Sequence, residues 1–274
     1  MAAETLKDGP VHTLDLASAV LSLSGNAGAA SAAVFALLGS DQRFKVDPEG
    51  RWTLCGSPPG TPLMSLRYAV VDVETTGGPY SGGHRMSELA IYQIRDGAIT
   101  EEYHTLLNPG RGILPRIEVL TGITNEMVAA APAFENVARE VADRLEGRIF
   151  VAHNVRFDWG FVSRELVDAL GEAPRVERLC TVQLARKLLP SIRRRNLDAL
   201  ASHFHIRIHP RHRAHGDALA TARILIRLLD EASMLGLVDL DALRAYMRRP
   251  RRGRPRDEAR QGQQLSLLDV GTGG

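Results

Sequence analysis

The stretch that decides the fold is residues 68–77, Tyr-Ala-Val-Val-Asp-Val-Glu-Thr-Thr-Gly (YAVVDVETTG). Its mostly apolar start, Tyr68–Val73, predicts a buried β-strand. Asp72 and Glu74 are two positions apart at the end of this strand, so their side chains point to the same face of the sheet. Two carboxylates held so close repel each other, and a divalent cation bound between them offsets that repulsion because it attracts both. The stretch therefore predicts a strand that ends in an acidic site.

Strands and helices alternate in the sequence that follows. Glu88–Ile94 and Ile99–Leu107 predict two strands joined at Asp96-Gly97, a hairpin turn signal. Arg148–Ala152 predicts a further strand. Apolar spacing predicts helices at Phe134–Leu145, Phe157–Leu170, Thr181–Leu189, Leu197–Phe204 and Asp217–Ala232. Three antiparallel strands followed by helices and another strand indicate an α/β fold with a mixed sheet.

A third carboxylate follows the predicted strand at 148–152. Asp158 closes the segment HNVRFD, residues 153–158. Taken alone, an acid in this place is typical of the first turn of a helix, where the helix dipole favours negative charge. Only its combination with Asp72 and Glu74 suggests chemistry.

The segment HRAHGDA, residues 212–218, supplies a histidine and a fourth carboxylate. Five positions turn a helix through about 500°, so His212 and Asp217 would not share a helix face. We therefore expect His212 on the loop before the helix and Asp217 in its first turn. Spacing alone leaves His209 and His215 as alternatives to His212.

Charge and composition limit the compartment and the partners. The chain has 274 residues and a net charge of +2, and a cluster of six arginines between 248 and 256 exceeds that net charge, so the remainder is mildly acidic. A basic tail suits nucleic acid, although such tails also serve solubility. The uncharged stretch Leu16–Ser40 is rich in Ala, Ser and Gly and lacks a preceding basic region, so no membrane segment is expected. With two unpaired cysteines, we expect a cytoplasmic protein.

Composition divides the chain into regions 1–60, 61–237 and 238–274. The first region predicts two helices and, in RFKVDPEGRWTL (43–54), a hairpin, the layout of a winged helix. A packing or protein-binding module is an equal alternative. GSPPGTP (56–62) is typical of a linker. The last region predicts a helix at Leu240–Arg248 and then a disordered tail.

The order of these motifs resembles the DEDDh exonuclease family, whose members include the proofreading epsilon subunits of bacterial DNA polymerase III. The resemblance covers about residues 66–232 and includes VDVETTG, SELA at 87–90, LTGITNEM at 120–127, VAHNVRFD at 151–158 and HRAHGDA. It implies an RNase H-like fold, a mixed five-stranded sheet flanked by helices. It also implies removal of nucleotides one at a time from 3′ ends.

The resemblance assigns the site residues. It implies that Asp72, Glu74 and Asp217 hold two divalent metal ions, Mg²⁺ or Mn²⁺, and that Asp158 helps to hold one of them. The family pattern selects His212 as the residue that deprotonates the attacking water. A histidine suits that role because its charge changes near neutral pH.

The resemblance also implies contacts to a single-stranded 3′ end. The expected substrate residues are Thr75, Thr76, Leu120, Thr121, Gly122, Ile123, Asn154 and Phe157. The sequence departs from the family in the glycine-rich segment GGPYSGGH, residues 77–84, which could change access to that end.

A second signal lies in the tail, at Gln264, Leu265, Ser266, Leu267 and Leu268. This segment is similar to the short motif by which bacterial DNA-processing proteins bind the sliding clamp, with Leu268 in place of the usual Phe. It favours DNA over RNA as the substrate, with a clamp or a DNA polymerase as partner. Two alternatives remain: an exoribonuclease of the same superfamily, and a DNA-binding scaffold with a vestigial site.

Overall fold

A computed structural model of the protein describes residues 1–6, 9–41, 44–54 and 60–249. The strands of this part of the chain are β1 (Val11–His12), β2 (Phe44–Val46), β3 (Arg51–Leu54), β4 (Tyr68–Thr75), β5 (Met86–Arg95), β6 (Ala98–Leu106), β7 (Ile149–Ala152) and β8 (Arg178–Cys180). The helices are α1 (Ala2–Thr5), α2 (Thr13–Leu21), α3 (Ala27–Leu38), α4 (Pro115–Thr121), α5 (Asn125–Ala129), α6 (Phe134–Leu145), α7 (Val155–Leu170), α8 (Thr181–Leu188), α9 (Leu197–His203), α10 (Ala214–Met234) and α11 (Leu240–Arg248).

The main sheet has five strands in the order β6-β5-β4-β7-β8. Strands β4, β5 and β6 are antiparallel, and β7 and β8 continue the sheet in parallel with β4. The predicted mixed five-stranded sheet flanked by helices is therefore confirmed. Strand β8 was not predicted, because three residues after a polar stretch give no apolar run to recognise.

Strand β4 lies in the middle of this sheet and divides its side chains between two cores. Tyr68 and Val70 pack on the face covered by α8, α9 and α10, whereas Ala69 and Val71 pack on the face covered by α6 and α7. All four are fully buried, and burial of each valine side chain contributes roughly 1.5–3 kcal/mol. The period of two places Asp72 and Glu74 on the α10 face.

Helix α10 crosses the sheet on this face and carries small residues where it meets the strands. Ala214, Ala218 and Ala222 are fully buried in the same core as Tyr68 and Val70. Short side chains let the helix backbone approach the sheet closely, so a carboxylate in the first helical turn can reach the end of β4.

A smaller sheet, ordered β1-β3-β2, lies in the amino-terminal region. Helices α2 and α3 and the β2–β3 hairpin have the predicted layout, and Trp52 fills their core and donates from Nε1 to Thr13 Oγ1 at 3.1 Å. The side chain of His12 accepts from the Leu14 N–H and caps the start of α2. Helix α3 begins at Ala27 because the Asn26 side chain caps it by accepting from the Ala29 N–H.

Within residues 1–6, 9–41, 44–54 and 60–249, no helix is both long and apolar enough to span a bilayer. Helix α11 follows the predicted bounds and packs through the fully buried Leu243 on the α10 core. The predicted disordered tail and its clamp-like segment lie outside the described residues.

Candidate active site

Three of the four predicted carboxylates meet at the end of β4. One oxygen from each of Asp72, Glu74 and Asp217 lies within 4.8 Å of the other two. Asp72 and Glu74 are half-buried, and Asp217 is buried. Residues separated by as much as 145 positions along the chain are thus brought together by the packing of α10 on β4.

The position of Asp217 follows from the start of α10. The helix begins at Ala214, which places Asp217 in its first turn, as the sequence predicted. The positive end of the helix dipole lies there and favours a carboxylate. Burial raises the pKa of Asp217, whereas Arg211 and His212, which lie next to the carboxylate, lower it.

Asp158 lies beside this group but not within it. It occupies the first turn of α7 and is 3% exposed. Its charge raises the pKa of Asp72, and its own carboxylate accepts a hydrogen bond from the Val73 backbone. Burial raises the pKa of Asp158 itself to about 8, so this residue adds a carboxyl group next to Asp72 whose ionisation is also opposed, and its hydrogen bond fixes it to β4.

The closeness of these carboxylates opposes their ionisation. Burial, followed by the charges of Asp158, Glu74 and Asp217, raises the pKa of Asp72 well above its ordinary value. Burial, followed by the charges of Asp217 and Glu88, raises the pKa of Glu74 to about 7. The cluster is therefore short of positive charge, although Arg211 lowers both pKa values.

One carboxylate oxygen is left unsatisfied in this cluster. Asp217 Oδ1 is buried and accepts no hydrogen bond. A buried acceptor without a partner costs free energy unless a ligand satisfies it. Three convergent carboxylates with one unpartnered oxygen match the oxygen donors that Mg²⁺ and Mn²⁺ prefer, so the residues fit a divalent cation.

His212 lies on the loop before α10, next to Asp217, as expected. Its backbone has a positive φ of 57°, a conformation uncommon for a residue with a side chain. Gly216 makes this loop possible, because a Cβ at that position would lie 1.9 Å from the Pro210 carbonyl oxygen. The alternatives lie elsewhere: His209 is exposed, and the His215 ring packs at a tilt of 50° against that of His104, with a centroid distance of 4.9 Å.

Arg211 was not predicted to belong to the site. Its Nη1 donates to Asp217 Oδ2 and to His212 Nδ1, the latter at 3.2 Å. Its Nε donates to Asp198 Oδ1 at 2.8 Å and its Nη2 to Asp198 Oδ2 at 3.3 Å. The sequence does show two arginines beside His212, but it does not show which of them points towards the carboxylates.

Arg213 points away from Arg211 and binds Glu88 on β5. Its Nε and Nη2 donate to Glu88 Oε1 at 3.0 and 2.6 Å, and the Ala214 N–H donates to Glu88 Oε2 at 2.7 Å. Burial opposes the ionisation of Glu88, yet hydrogen bonds from His104, Arg213 and Ala214 together lower its pKa to about 2. The ionised Glu88 thus fixes the amino end of α10.

Glu88 also forms a second three-residue group with His104 and His215. The side chain of Glu88 already accepts from Arg213, from Ala214 and from His104 Nε2, the last at 2.7 Å. A cation bound there would face the Arg213 guanidinium. We therefore interpret Glu88, His104 and His215 as a structural group that joins β5, β6 and α10. The candidate metal site is the acidic cluster of Asp72, Glu74 and Asp217.

The predicted substrate residues differ in exposure. Leu120 is 50% exposed, Phe157 is 45% exposed, and Asn154 is exposed at a positive φ before α7. Thr76 and Ile123 are fully buried. The remaining members of the set are the buried Thr75 and Thr121 and the exposed Gly122, which ends α4. Side-chain contact with a ligand in this conformation is therefore open to Leu120, Asn154 and Phe157.

The segment GGPYSGGH folds back onto α7. The Tyr80 hydroxyl donates to Asp168 at 2.5 Å, and its ring meets Phe161 edge-on at a centroid distance of 5.7 Å. At its other end, His84 Nδ1 lies 2.8 Å from Thr76 Oγ1. The glycine-rich segment that departs from the family pattern is thus packed against α7, and His84 contacts the loop that follows Glu74.

Known proteins are similar to the part of the chain that contains the candidate site. The family described as Exonuclease (RNase_T) matches residues 69–225. The 3′-5′ exonuclease DinG of Bacillus subtilis (strain 168) is 40% identical over 182 residues, which cover 66% of this chain and 20% of that protein. The DNA polymerase III subunit epsilon of Aquifex aeolicus (strain VF5) is 36% identical over 169 residues, which cover 62% of this chain and 83% of that protein.

A solved structure shares the same fold. Exonuclease X, in complex with 5′ overhanging duplex DNA, has a TM-score of 0.51 and 28% sequence identity, over 66% of this chain and 98% of that one. This chain therefore spans nearly all of Exonuclease X and most of the epsilon subunit, but only one fifth of the length of DinG.

Proposed function

Because this chain belongs to the exonuclease family RNase_T, we propose that it removes nucleotides from the 3′ ends of DNA by divalent-metal-dependent hydrolysis. The observation that carries the proposal is the meeting of Asp72, Glu74 and Asp217 within 4.8 Å, with the buried Asp217 Oδ1 left without a hydrogen-bond partner. Clustered carboxylates of this kind are costly unless cations neutralise them.

The chain's own residues would hold the ions as follows. Asp72, Glu74 and Asp217 would coordinate through their converging oxygens, and Asp158 would support one ion from α7. When bound, two divalent ions supply Lewis acidity that activates water and stabilises the leaving oxygen. Both Mg²⁺ and Mn²⁺ suit an all-oxygen site.

His212 would receive the proton of the attacking water. Its loop places the ring next to Asp217, and only an unprotonated ring nitrogen can accept that proton. Leu120 and Phe157 expose apolar side chains of the kind that can pack against a terminal base. Thr75 and Thr76 would shape the backbone after Glu74 that faces the 3′ end.

The names of the relatives support the direction and the nucleic acid. The Bacillus subtilis relative is named a 3′-5′ exonuclease, the Aquifex relative is a subunit of a DNA polymerase, and Exonuclease X was solved with duplex DNA. These three statements concern those proteins, and they favour DNA over RNA for this one. Replication proofreading or repair would then be its role.

We also propose that Gln264–Leu268 binds a bacterial sliding clamp. The support is the similarity of this segment to clamp-binding motifs and its place in a tail that contains a cluster of arginines. A clamp would hold the enzyme near DNA ends, and arginines would add contacts with phosphates that do not depend on sequence.

The proposed activity is tested with matched single-stranded DNA and RNA oligonucleotides that carry a fluorophore at the 5′ end. Incubation of the full chain with Mg²⁺ or Mn²⁺ is expected to give a ladder that shortens one nucleotide at a time. A blocked 3′ terminus or EDTA should stop degradation. Faster degradation of RNA would replace the DNA assignment with an exoribonuclease, and no degradation of either polymer would support the scaffold alternative.

A further inference from the structure

We propose that Arg211 is an internal counter-ion of the metal-free site, which the incoming metal ions must displace before His212 can act. The proposal rests on the proposed function, since it concerns how the same site changes between its metal-free and metal-loaded states. It assigns a regulatory role to a residue that contacts two of the predicted catalytic groups at once.

The contacts of Arg211 place positive charge where a cation would bind. Nη1 donates to Asp217 Oδ2, whereas Asp217 Oδ1 accepts no hydrogen bond. One oxygen of this carboxylate is thus held by the guanidinium and the other is available. Because one oxygen of Asp217 lies within 4.8 Å of an oxygen of Asp72 and of Glu74, the guanidinium on Asp217 lies beside the whole acidic cluster.

The same guanidinium blocks His212. A guanidinium only donates hydrogen bonds, so the contact of 3.2 Å between Nη1 and His212 Nδ1 requires Nδ1 to be the acceptor. In neutral histidine the proton then resides on Nε2, and the sole unprotonated nitrogen is occupied by Arg211. The ring cannot accept a proton from water while this contact lasts.

Asp198 gives Arg211 an alternative partner. Two nitrogens of Arg211 donate to its carboxylate, Nε at 2.8 Å and Nη2 at 3.3 Å, and neither of them is the Nη1 that contacts Asp217. If Nη1 leaves Asp217, the guanidinium remains paired through its other edge. Displacement of Arg211 by a metal ion would therefore break its ion pair with Asp217 but leave its two hydrogen bonds to Asp198 in place.

Arg213 serves as an internal comparison. It is also adjacent to His212, but its guanidinium binds the fully buried Glu88 and makes no hydrogen bond to Asp217 or His212 among the described contacts. Of the two flanking arginines, only Arg211 has a described hydrogen bond to a carboxylate of the acidic cluster, whereas Arg213 acts on Glu74 through its charge alone. The two contributions can therefore be separated by mutation.

The test is calorimetric titration of the full chain with MnCl₂ and with MgCl₂. Arg211→Gln removes the charge that competes with the ions, and it is expected to bind them about five- to tenfold more tightly than wild type, a typical coupling between competing ligands. Arg207→Gln is the matched control, since it removes an exposed positive charge from the same segment. Its affinity should equal that of wild type.

Thermal unfolding provides a second readout that does not depend on activity. Without metal, Arg211→Gln should have a lower Tm than wild type because the carboxylates lose their counter-ion, and saturating Mn²⁺ should reduce this difference. Arg211→Lys keeps the positive charge but lacks the planar guanidinium with its several donors. Its affinity for metal ions should lie between that of wild type and that of Arg211→Gln.

The outcomes separate this proposal from the one on which it rests. If wild type binds no divalent ion and degrades no oligonucleotide, the proposed function fails. If wild type binds ions and Arg211→Gln binds them with equal or lower affinity, the function stands and the counter-ion proposal is wrong. An equal gain of affinity in Arg207→Gln would also overturn it, because the effect would then be a general one of net charge.

Discussion

Glu88 and Arg213 form a two-point ion pair that joins β5 to the amino end of α10. The carboxylate is fully buried and lies opposite Glu74 in the β4–β5 register, and it also accepts the Ala214 N–H. A single buried charge thereby fixes the helix that carries Asp217 and the loop that carries His212. The geometry of the candidate site depends on this pair, although neither residue is among the predicted metal ligands.

Removal of Arg213 should destabilise the protein more than neutralisation of its partner. Arg213→Ala leaves the buried carboxylate without its guanidinium partner, with the Ala214 N–H and His104 as its remaining described partners, and we expect a loss of roughly 3–5 kcal/mol in the free energy of unfolding. Glu88→Gln leaves no unpaired charge on that strand and should cost less. Urea unfolding of both variants and of the double variant measures the coupling; additive losses would show that the pair does not act as a unit.

Gly216 should tolerate no side chain. A Cβ at this position would lie 1.9 Å from the carbonyl oxygen of Pro210, a backbone atom. We expect Gly216→Ala to lower the free energy of unfolding by roughly 1–3 kcal/mol or more, as forced overpacking does, and to reduce nuclease activity through displacement of His212. The matched control is Gly160→Ala in α7, where the nearest atom is the flexible end of Arg164 at 3.5 Å. It should be neutral or slightly stabilising.

The metal-free protein should lose stability as pH rises. Burial and neighbouring carboxylates raise the pKa of Glu74 from 4.5 to about 7, so the folded state retains a proton that the unfolded chain has released. Such a group contributes most stability below pH 4.5, and this contribution is lost as pH rises through about 7. Melting curves in EDTA between about pH 5 and pH 8 should show a falling Tm, and Mg²⁺ should restore more stability at the higher pH. A flat profile would contradict the crowding of carboxylates at this site.

Deletion of residues 264–268 should weaken binding of the full chain to a bacterial sliding clamp without changing its degradation of a free oligonucleotide. The reason is that this segment lies far from the acidic cluster in sequence and supplies none of its residues. Deletion of residues 269–273 is the control of equal length. Surface plasmon resonance on immobilised clamp measures both, and equal affinity of the 264–268 deletion and wild type would reject the clamp proposal.

Much of the exonuclease-family region could be predicted because its signals are local. The apolar run at Tyr68–Val73, the turn at Asp96-Gly97 and the helical spacing over Asp217–Ala232 each predict one element from adjacent residues. The confirmed mixed sheet follows from their order. Strand β8 escaped prediction since its three residues are defined by parallel pairing with β7 and not by their own composition.

The ion pairs of the site could not be predicted, because they depend on distant partners. Glu88 and Arg213 are 125 positions apart, and Arg211 reaches Asp198 across 13. The sequence RHRAHGD shows two arginines beside His212 but does not tell which of them faces the carboxylates. That distinction requires the path of the loop, which Gly216 and the packing of α10 determine. The roles of Asp72, Glu74, Asp158, Asp217 and His212 themselves stay predictions.

The most direct test of the central claim compares Asp72→Asn with Asp96→Asn in the degradation of a 5′-labelled single-stranded DNA in Mg²⁺. Both variants exchange the same functional group, and Asp96 is an exposed hairpin-turn residue whose backbone conformation asparagine also adopts. Circular dichroism should show both to be folded. We expect Asp72→Asn to lose degradation by at least about a hundredfold, since an electrostatic contact to the reacting centre is lost, and Asp96→Asn to retain the wild-type rate. Degradation at the wild-type rate by a folded Asp72→Asn variant would contradict the assignment of the acidic cluster as the active site.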